Sequence, residues 1–299
     1  MRLSRKALHN LKRKGGHMAK LRHLALHTAD PTGTAAFYKR VFDMKELLRF
    51  ESPMAEGIHL SDGYLHLALL RYRSPELAAT YGSYSALGMS HVGFWLNEAD
   101  AHEMRRRLTE EGAVRGEGPG VATPGVFFEE KWRGPDGVVF DLSDAKIGQA
   151  HYQAKIDEGE RPPKIRHLAL HTADAEGTAD FYKRVFDMEE VGRNPSQFWE
   201  SIYLSDGTLN VTVLRFKSPE AAIRFAGSPA LGLSHFGFWV RSQEETARRL
   251  QEAGAEHMNI TGEEQGALKH SEEKWKGPDG VVFDITDTGW TGARPLDED

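Results

Sequence analysis

Two stretches of the chain are near copies of each other. Residues 21–44 match 165–188 at 20 of 24 positions, and residues 131–144 match 274–287 at 11 of 14. Internal repetition constrains a fold more than any local motif, because two such segments must fold as two similar units. The chain is therefore expected as two tandem domains, 21–144 and 165–290, joined by a polar linker, 145–164, that ends in Arg161-Pro162-Pro163. A length of 299 residues is enough for two separate cores. Residues 1–20 form a basic tail, with Arg2, Arg5, Lys6, Lys12, Arg13 and Lys14 and no acidic residue in the first 17. Residues 291–299 form an acidic tail.

Within each copy the hydrophobic pattern reads strand, helix, then several strands, twice over. Leu24 and Leu26 share one face of the first strand, while His23, Ala25 and His27 share the other. Asp30 or Thr32 caps the next helix, whose Ala35, Tyr38, Val41 and Phe42 form an apolar stripe. Further strands are expected around Glu46–Phe50, Ile58–Ser61 and Tyr64–Arg71. The second half repeats the plan with a strand over Ser90–Leu96, a helix from Glu98 to Glu111 and a last strand over Val138–Leu142. The fold class is thus α+β, with two tandem domains, each of paired βαβββ modules.

Composition narrows the function. A net charge of −6 with interspersed signs argues against nucleic acid as a partner. No apolar run reaches the roughly 18–20 residues that span a bilayer, and no membrane partner is expected. The chain has no cysteine, so disulfides and thiolate ligands are excluded and any metal must be held by His and carboxylates. A cytoplasmic monomer or homodimer acting on a small molecule is the expectation.

Strand alternation singles out three residues per copy. His23 opposes the Leu24/Leu26 row, His91 opposes Val92 and Phe94, and Asp141 opposes Phe140 and Leu142. Two imidazoles and a carboxylate form a set that holds Fe, Mn, Ni, Co or Zn with positions left open. The second copy offers His167, His235 and Asp284. The spacings alone carry no specificity, and a lone strand histidine is more often a hydrogen-bonded structural residue. The case rests on three ligand types falling on one expected face.

The modules resemble the vicinal oxygen chelate superfamily, which includes glyoxalase I, methylmalonyl-CoA epimerase, bleomycin-resistance proteins and extradiol dioxygenases. The first-strand His with Asp30 and Phe37-Tyr38, the Gly88–Phe94 segment and the Gly134–Asp141 segment carry the resemblance. It implies a U-shaped mixed sheet with helices outside, and a divalent ion bound by a His of the first strand, a His of the fifth and a Glu of the eighth. His23, His91, His167 and His235 match the histidines. Asp141 and Asp284 depart from the Glu and are one methylene shorter. Glyoxalases place a fourth ligand where this chain has His66 and Asn210, so the two sites are expected to differ.

Substrate contacts are expected from His66, Asn210, Trp95 and Trp239, and from His27 and His171 unless those two lie at the rim. Trp132 and Trp275 are read as rim or core. The extradiol motif has a Tyr where Lys131 and Lys274 stand. No residue is a clear general base, and catalytic residues are left unassigned. The resemblance implies a metal-dependent lyase, isomerase or dioxygenase acting on a small oxygen-rich molecule. A metal-free binding protein of the bleomycin-resistance kind is the alternative.

Overall fold

The computed structural model describes residues 19–84, 86–116, 129–260 and 272–298. The first copy runs β1 (Lys20–His27), α1 (Pro31–Phe42), β2 (Lys45–Glu51), β3 (Ala55–Ser61), β4 (His66–Tyr72) and α2 (Pro75–Tyr81). It continues with β5 (Gly88–Leu96), α3 (Glu98–Glu110), β6 (Val114–Arg115), β7 (Glu129–Arg133) and β8 (Val139–Asp144), then α4 (Ala145–Tyr152). The second copy repeats this with β9 (Lys164–His171), α5 (Ala175–Phe186), β10 (Glu189–Arg193), β11 (Trp199–Ser205), β12 (Asn210–Phe216) and α6 (Pro219–Ala226). It ends with β13 (Gly232–Trp239), α7 (Gln243–Glu252), β14 (Glu256–His257), β15 (Glu273–Lys276) and β16 (Val282–Thr286).

Each copy forms one eight-stranded sheet, in the order β2-β3-β4-β1-β5-β8-β7-β6 and its counterpart β10-β11-β12-β9-β13-β16-β15-β14. The pairs β1–β4 and β5–β8 are parallel and the other neighbours antiparallel. The sheets are mixed, as the paired βαβββ reading requires. Local chemistry sets the boundaries. The Asp30 carboxylate accepts from the amides of Thr32 and Gly33 at the start of α1, and Asp43 ends that helix in the left-handed region at φ 55°. Ser74 and Ser218 cap α2 and α6, each with proline in the first turn.

The two copies share one apolar core. The Phe42 ring of α1 stacks on Phe238 of the other copy at 3.6 Å between centroids, and Phe186 of α5 stacks on Phe94 at 3.9 Å. These are equivalent pairs, so α1 and α5 each cover the partner copy's sheet as well as their own. Charged contacts obey the same symmetry: Arg107 meets Asp187 at 2.8 Å and Arg249 meets Asp43 at 2.7 Å.

The turns join the copies too. The fully buried Asp62 accepts from the amides of Tyr64, Leu65 and, across the boundary, Ile165 at 2.8 Å. Asp206 does the same for Thr208, Leu209 and Leu21.

Residues 145–164, read from sequence as a linker, include α4, which packs back onto the first copy. Gly148 lies against the Trp95 ring, and Tyr152 stacks on His66 at 4.5 Å. The residues after β16 fold over the second copy in the equivalent region. No helix among the described residues is long and apolar enough to cross a membrane.

Candidate metal centre and cavity

Sheet register builds the site. Across five strands of the first copy the residues His66, His23, Gly93, Asp141 and Lys131 lie in one cross-strand row. Cross-strand partners point to the same face, so the row presents two imidazoles, a gap, a carboxylate and an ammonium. The gap is the glycine: the three atoms nearest to a Cβ built on Gly93 all belong to His23, the closest at 2.9 Å. His91 sits one step away, opposite Ala25. The second copy repeats the row as Asn210, His167, Gly237, Asp284 and Lys274.

His23, His91 and Asp141 bring one ligand atom each within 4.8 Å of one another, as do His167, His235 and Asp284. In the first copy His23 Nε2 lies 3.2 Å from His91 Nε2, which lies 3.3 Å from Asp141 Oδ2. Ligand atoms around one ion with bonds of about 2.0–2.2 Å stand about 2.8–3.6 Å apart, from octahedral to tetrahedral geometry. The His23–His91 and His91–Asp141 separations in the first copy match that spacing, and the third lies within 4.8 Å, so the donor set is of a kind and size that suits a first-row divalent ion.

The outer contacts orient these rings. His91 Nδ1 pairs with Ser90 Oγ at 3.1 Å, and His23 Nδ1 with His66 Nδ1 at 2.8 Å. With a lone pair on His23 Nε2 facing the centre, the ring proton is on Nδ1 and is given to His66, whose own proton is then on Nε2. That His66 Nε2 is buried without a partner, as is Nδ1 of the neighbouring His59. Burial holds His23, His66 and His91 well below the usual imidazole range and lowers His59 to about 4, so all four are neutral near pH 7.

A cavity of about 680 Å³ opens over this floor. Phe50, Tyr72, Tyr81, Trp95 and Tyr152 supply aromatic walls, and His59, His66, Glu129 and Lys131 supply polar groups. Glu129 faces the same side as Asp141, because it pairs with Ser143 while Lys131 pairs with Asp141. Burial, reinforced by the charge of Asp141, pushes its carboxyl up to about 7.

The equivalent space in the second copy is about 50 Å³. The Trp290 ring stacks on His167 at 5.0 Å, donates through Nε1 to Glu272 at 2.8 Å and lies over Gly237. Asn210 is held between His167 Nδ1 and the carbonyl of Thr291.

Several expected substrate contacts lie elsewhere. His27 and His171 are buried, bind the backbone carbonyls of Ala86 and Ala230 and do not line either cavity. Trp239 is packed under Gly289 and bonds the carbonyl of Asp287, so it does not wall the second cavity. Asn210 serves His167 rather than the cavity. Trp132 and Trp275 are core residues. His66 and Trp95 do line the first cavity.

The sequence reading missed the in-site roles of Lys131 and Lys274, and it passed over Glu129, His59, Tyr152 and Trp290. The signal for the first three was present in part. Glu129, Lys131 and Arg133 alternate with Glu130 and Trp132, so pairing this strand with Val138–Leu142 would have put Lys131 opposite Asp141.

A family model described as the Glyoxalase/Bleomycin resistance protein/Dioxygenase superfamily matches residues 20–142 and 164–285. The chain belongs to this superfamily. Solved structures share the fold at low identity. A mutant of 4-hydroxymandelate synthase from Streptomyces coelicolor aligns with a TM-score of 0.66 at 15% identity, over 90% of this chain and 92% of that one. The 2,3-dioxygenase LapB from Pseudomonas sp. KL28 aligns at 0.64 and 14%, over 92% and 94%. A Mn(II)-bound glyoxalase from Novosphingobium aromaticivorans aligns at 0.62 and 16%, over 91% and 82%. No curated protein sequence matches the chain. These likenesses extend to the tandem architecture of the vicinal oxygen chelate fold. At such identities they carry the fold and not the substrate.

Proposed function

We propose that the chain is a metal-dependent enzyme of the vicinal oxygen chelate type, with its working site in the first copy. Its substrate is a small oxygen-rich molecule, and its chemistry is of the lyase, isomerase or dioxygenase type. One observation carries the reading: His23 Nε2, His91 Nε2 and Asp141 Oδ2 converge on the floor of a cavity of about 680 Å³. A divalent ion held there would act as a Lewis acid toward two adjacent substrate oxygens and the negative charge that develops on them.

The chain's own residues have separate tasks in this reading. His66 fixes the orientation of His23 and offers its unpartnered Nε2 proton. Phe50, Trp95 and Tyr152 exclude water and hold the apolar part of the substrate. Glu129, with its affinity for a proton raised by its surroundings, takes a proton from the substrate or returns one.

A second reading is favoured by a specific contact, the Lys131 ammonium 2.6 Å from Asp141 Oδ1. It supplies a cation to the carboxylate without any ion, as a metal-free binding protein of the bleomycin-resistance kind would require.

Metal analysis separates the two. Protein purified without chelator and reconstituted with Fe(II), Mn, Ni, Co or Zn is expected to retain an ion that His91→Ala removes. Failure of every one of these ions to bind the first copy overturns the enzyme reading and leaves the binding-protein reading.

A further inference from the structure

The same donor set recurs in the second copy, but its surroundings are different. Lys274 Nζ donates to Asp284 Oδ1 at 2.7 Å, to Oδ2 at 2.9 Å and to His235 Nε2 at 3.2 Å. Both carboxylate oxygens and one imidazole lone pair, which an ion would need, already serve an ammonium. His235 Nδ1 then carries the ring proton and gives it to Ser234 Oγ at 2.9 Å. The His–Asp Oδ2 separation is 3.3 Å in both copies, but in the first copy Lys131 donates to Asp141 Oδ1 alone and leaves Oδ2 and His91 Nε2 without a lysine contact. Lys274 and Asp284 side chains are 3% and 0% exposed, against 17% for Lys131.

A second closure is independent of the lysine. The notch over Gly93 is met first by His23, whereas a Cβ on Gly237 would lie 2.6 Å from Cη2 of Trp290. The indole therefore fills the gap that the glycine opens in the row. The segment carrying it is fastened beyond the ring: Asn210 donates to the Thr291 carbonyl at 2.9 Å, Ser205 to the Gly292 carbonyl at 2.6 Å, and the Arg294 amide to the Thr208 carbonyl at 2.9 Å. Three hydrogen bonds and a buried ring hold this segment over the row.

We propose that the second copy's site takes neither ion nor substrate, because Lys274 stands in the ion's place as a tethered cation and Trp290 fills the space above it. The duplicated triad there is a structural ion pair. The chain then has one working pocket, and removing the lysine uncovers a latent metal site. The count of one ion rests on the first-copy reading above; the uncovering of a second site does not.

The test measures bound Zn, Co and Mn by mass spectrometry on the full chain. The wild type is expected to hold one ion per chain, lost in His91→Ala and kept in His235→Ala. Two ions, one of them lost in His235→Ala, overturn the inference and leave the first-copy reading intact. No ion at all overturns the first-copy reading, and the inference is then decided by Lys274→Ala. That variant is expected to gain an ion that the Lys274→Ala/His235→Ala pair lacks, and its melting temperature, lowered by the unpaired Asp284, is expected to recover when Zn is added. Lys274→Ala folded but without a new ion overturns the proposal.

Lys274→Met, which keeps the space filled, is expected to gain none. Should Lys274→Ala fail to fold, histidine NMR of the wild type during Co(II) titration decides. Ligand-sized shifts at His167 and His235 overturn the proposal; their absence supports it.

Discussion

Lys131 Nζ lies 2.6 Å from Asp141 Oδ1, so the carboxylate that completes the His23–His91 set brings its own cation. An ammonium beside a metal centre competes for the carboxylate and repels the ion. Lys131→Met is expected to tighten divalent-ion binding by tenfold or more. It also leaves a carboxylate that is 2% exposed without its partner, which destabilises the ion-free protein by about 3 kcal/mol. Calorimetric titration and denaturant unfolding with and without ion check both. Weaker ion binding in the variant would mean that Lys131 positions Asp141 for the ion instead of competing with it.

Glu129 predicts a pH dependence. Its folded carboxyl is pushed up from 4.5 to about 7, so the folded state binds that proton more tightly than the unfolded chain. Stability from this group is present at low pH and is lost as pH rises from about 4.5 to 7. The shift would correspond to about 3 kcal/mol, and because the side chain is 37% exposed into the cavity the expected loss is about 1–2 kcal/mol. Glu129→Gln is therefore expected to be more stable than wild type at pH 8 and equal to it near pH 4.5, as read by urea unfolding. A constant difference across that range would show that Glu129 does not titrate there.

The repeat, the module order and the ligand rows were legible because each depends on local pattern. Period-two alternation placed His23, His91 and Asp141 on one face, and the register rows of the two sheets agree. Which copy is open was not legible, since it depends on residues outside the repeated segments. Tyr152 follows the first copy and Trp290 the second, and whether either ring covers the glycine notch depends on how its segment folds back. The expected difference at His66 and Asn210 is real, but it lies in the outer contacts of His23 and His167. Two units read as separate also share a core, because an apolar stripe such as Ala35, Tyr38 and Phe42 does not say whose sheet it will cover.

That shared core has a measurable consequence. Phe42 is fully buried between its own sheet and Phe238 of the second copy, stacked within 5° of parallel. Phe42→Ala is expected to destabilise the chain by about 3–5 kcal/mol, and both copies together. Unfolding followed by tryptophan fluorescence and by far-ultraviolet circular dichroism should give coincident transitions in wild type and variant. Two separated transitions in the wild type would mean that the copies unfold independently despite the interface.

Gly93 and Gly237 occupy equivalent places in the two rows, yet alanine at each is expected to fail differently. A Cβ on Gly93 would come within 2.9 Å of the His23 Cβ and 3.1 Å of its Cδ2, which is closer than side chains pack. Rotation of the ring cannot relieve a clash at the His23 Cβ, so the β1 and β5 backbones must shift and displace the His23 ring. Gly93→Ala is therefore expected to weaken ion binding at least tenfold and to lower the melting temperature by several degrees. A Cβ on Gly237 would meet the Trp290 ring at 2.6 and 2.7 Å before it met His167. That clash acts on the Trp290 ring, so Gly237→Ala is expected to lower the melting temperature by several degrees and leave the ion content unchanged. Ion stoichiometry and thermal melts of the two variants, measured side by side, separate a working centre from a filled one. Loss of ion from Gly237→Ala, or an unaltered affinity in Gly93→Ala, would reverse the assignment of roles to the two copies.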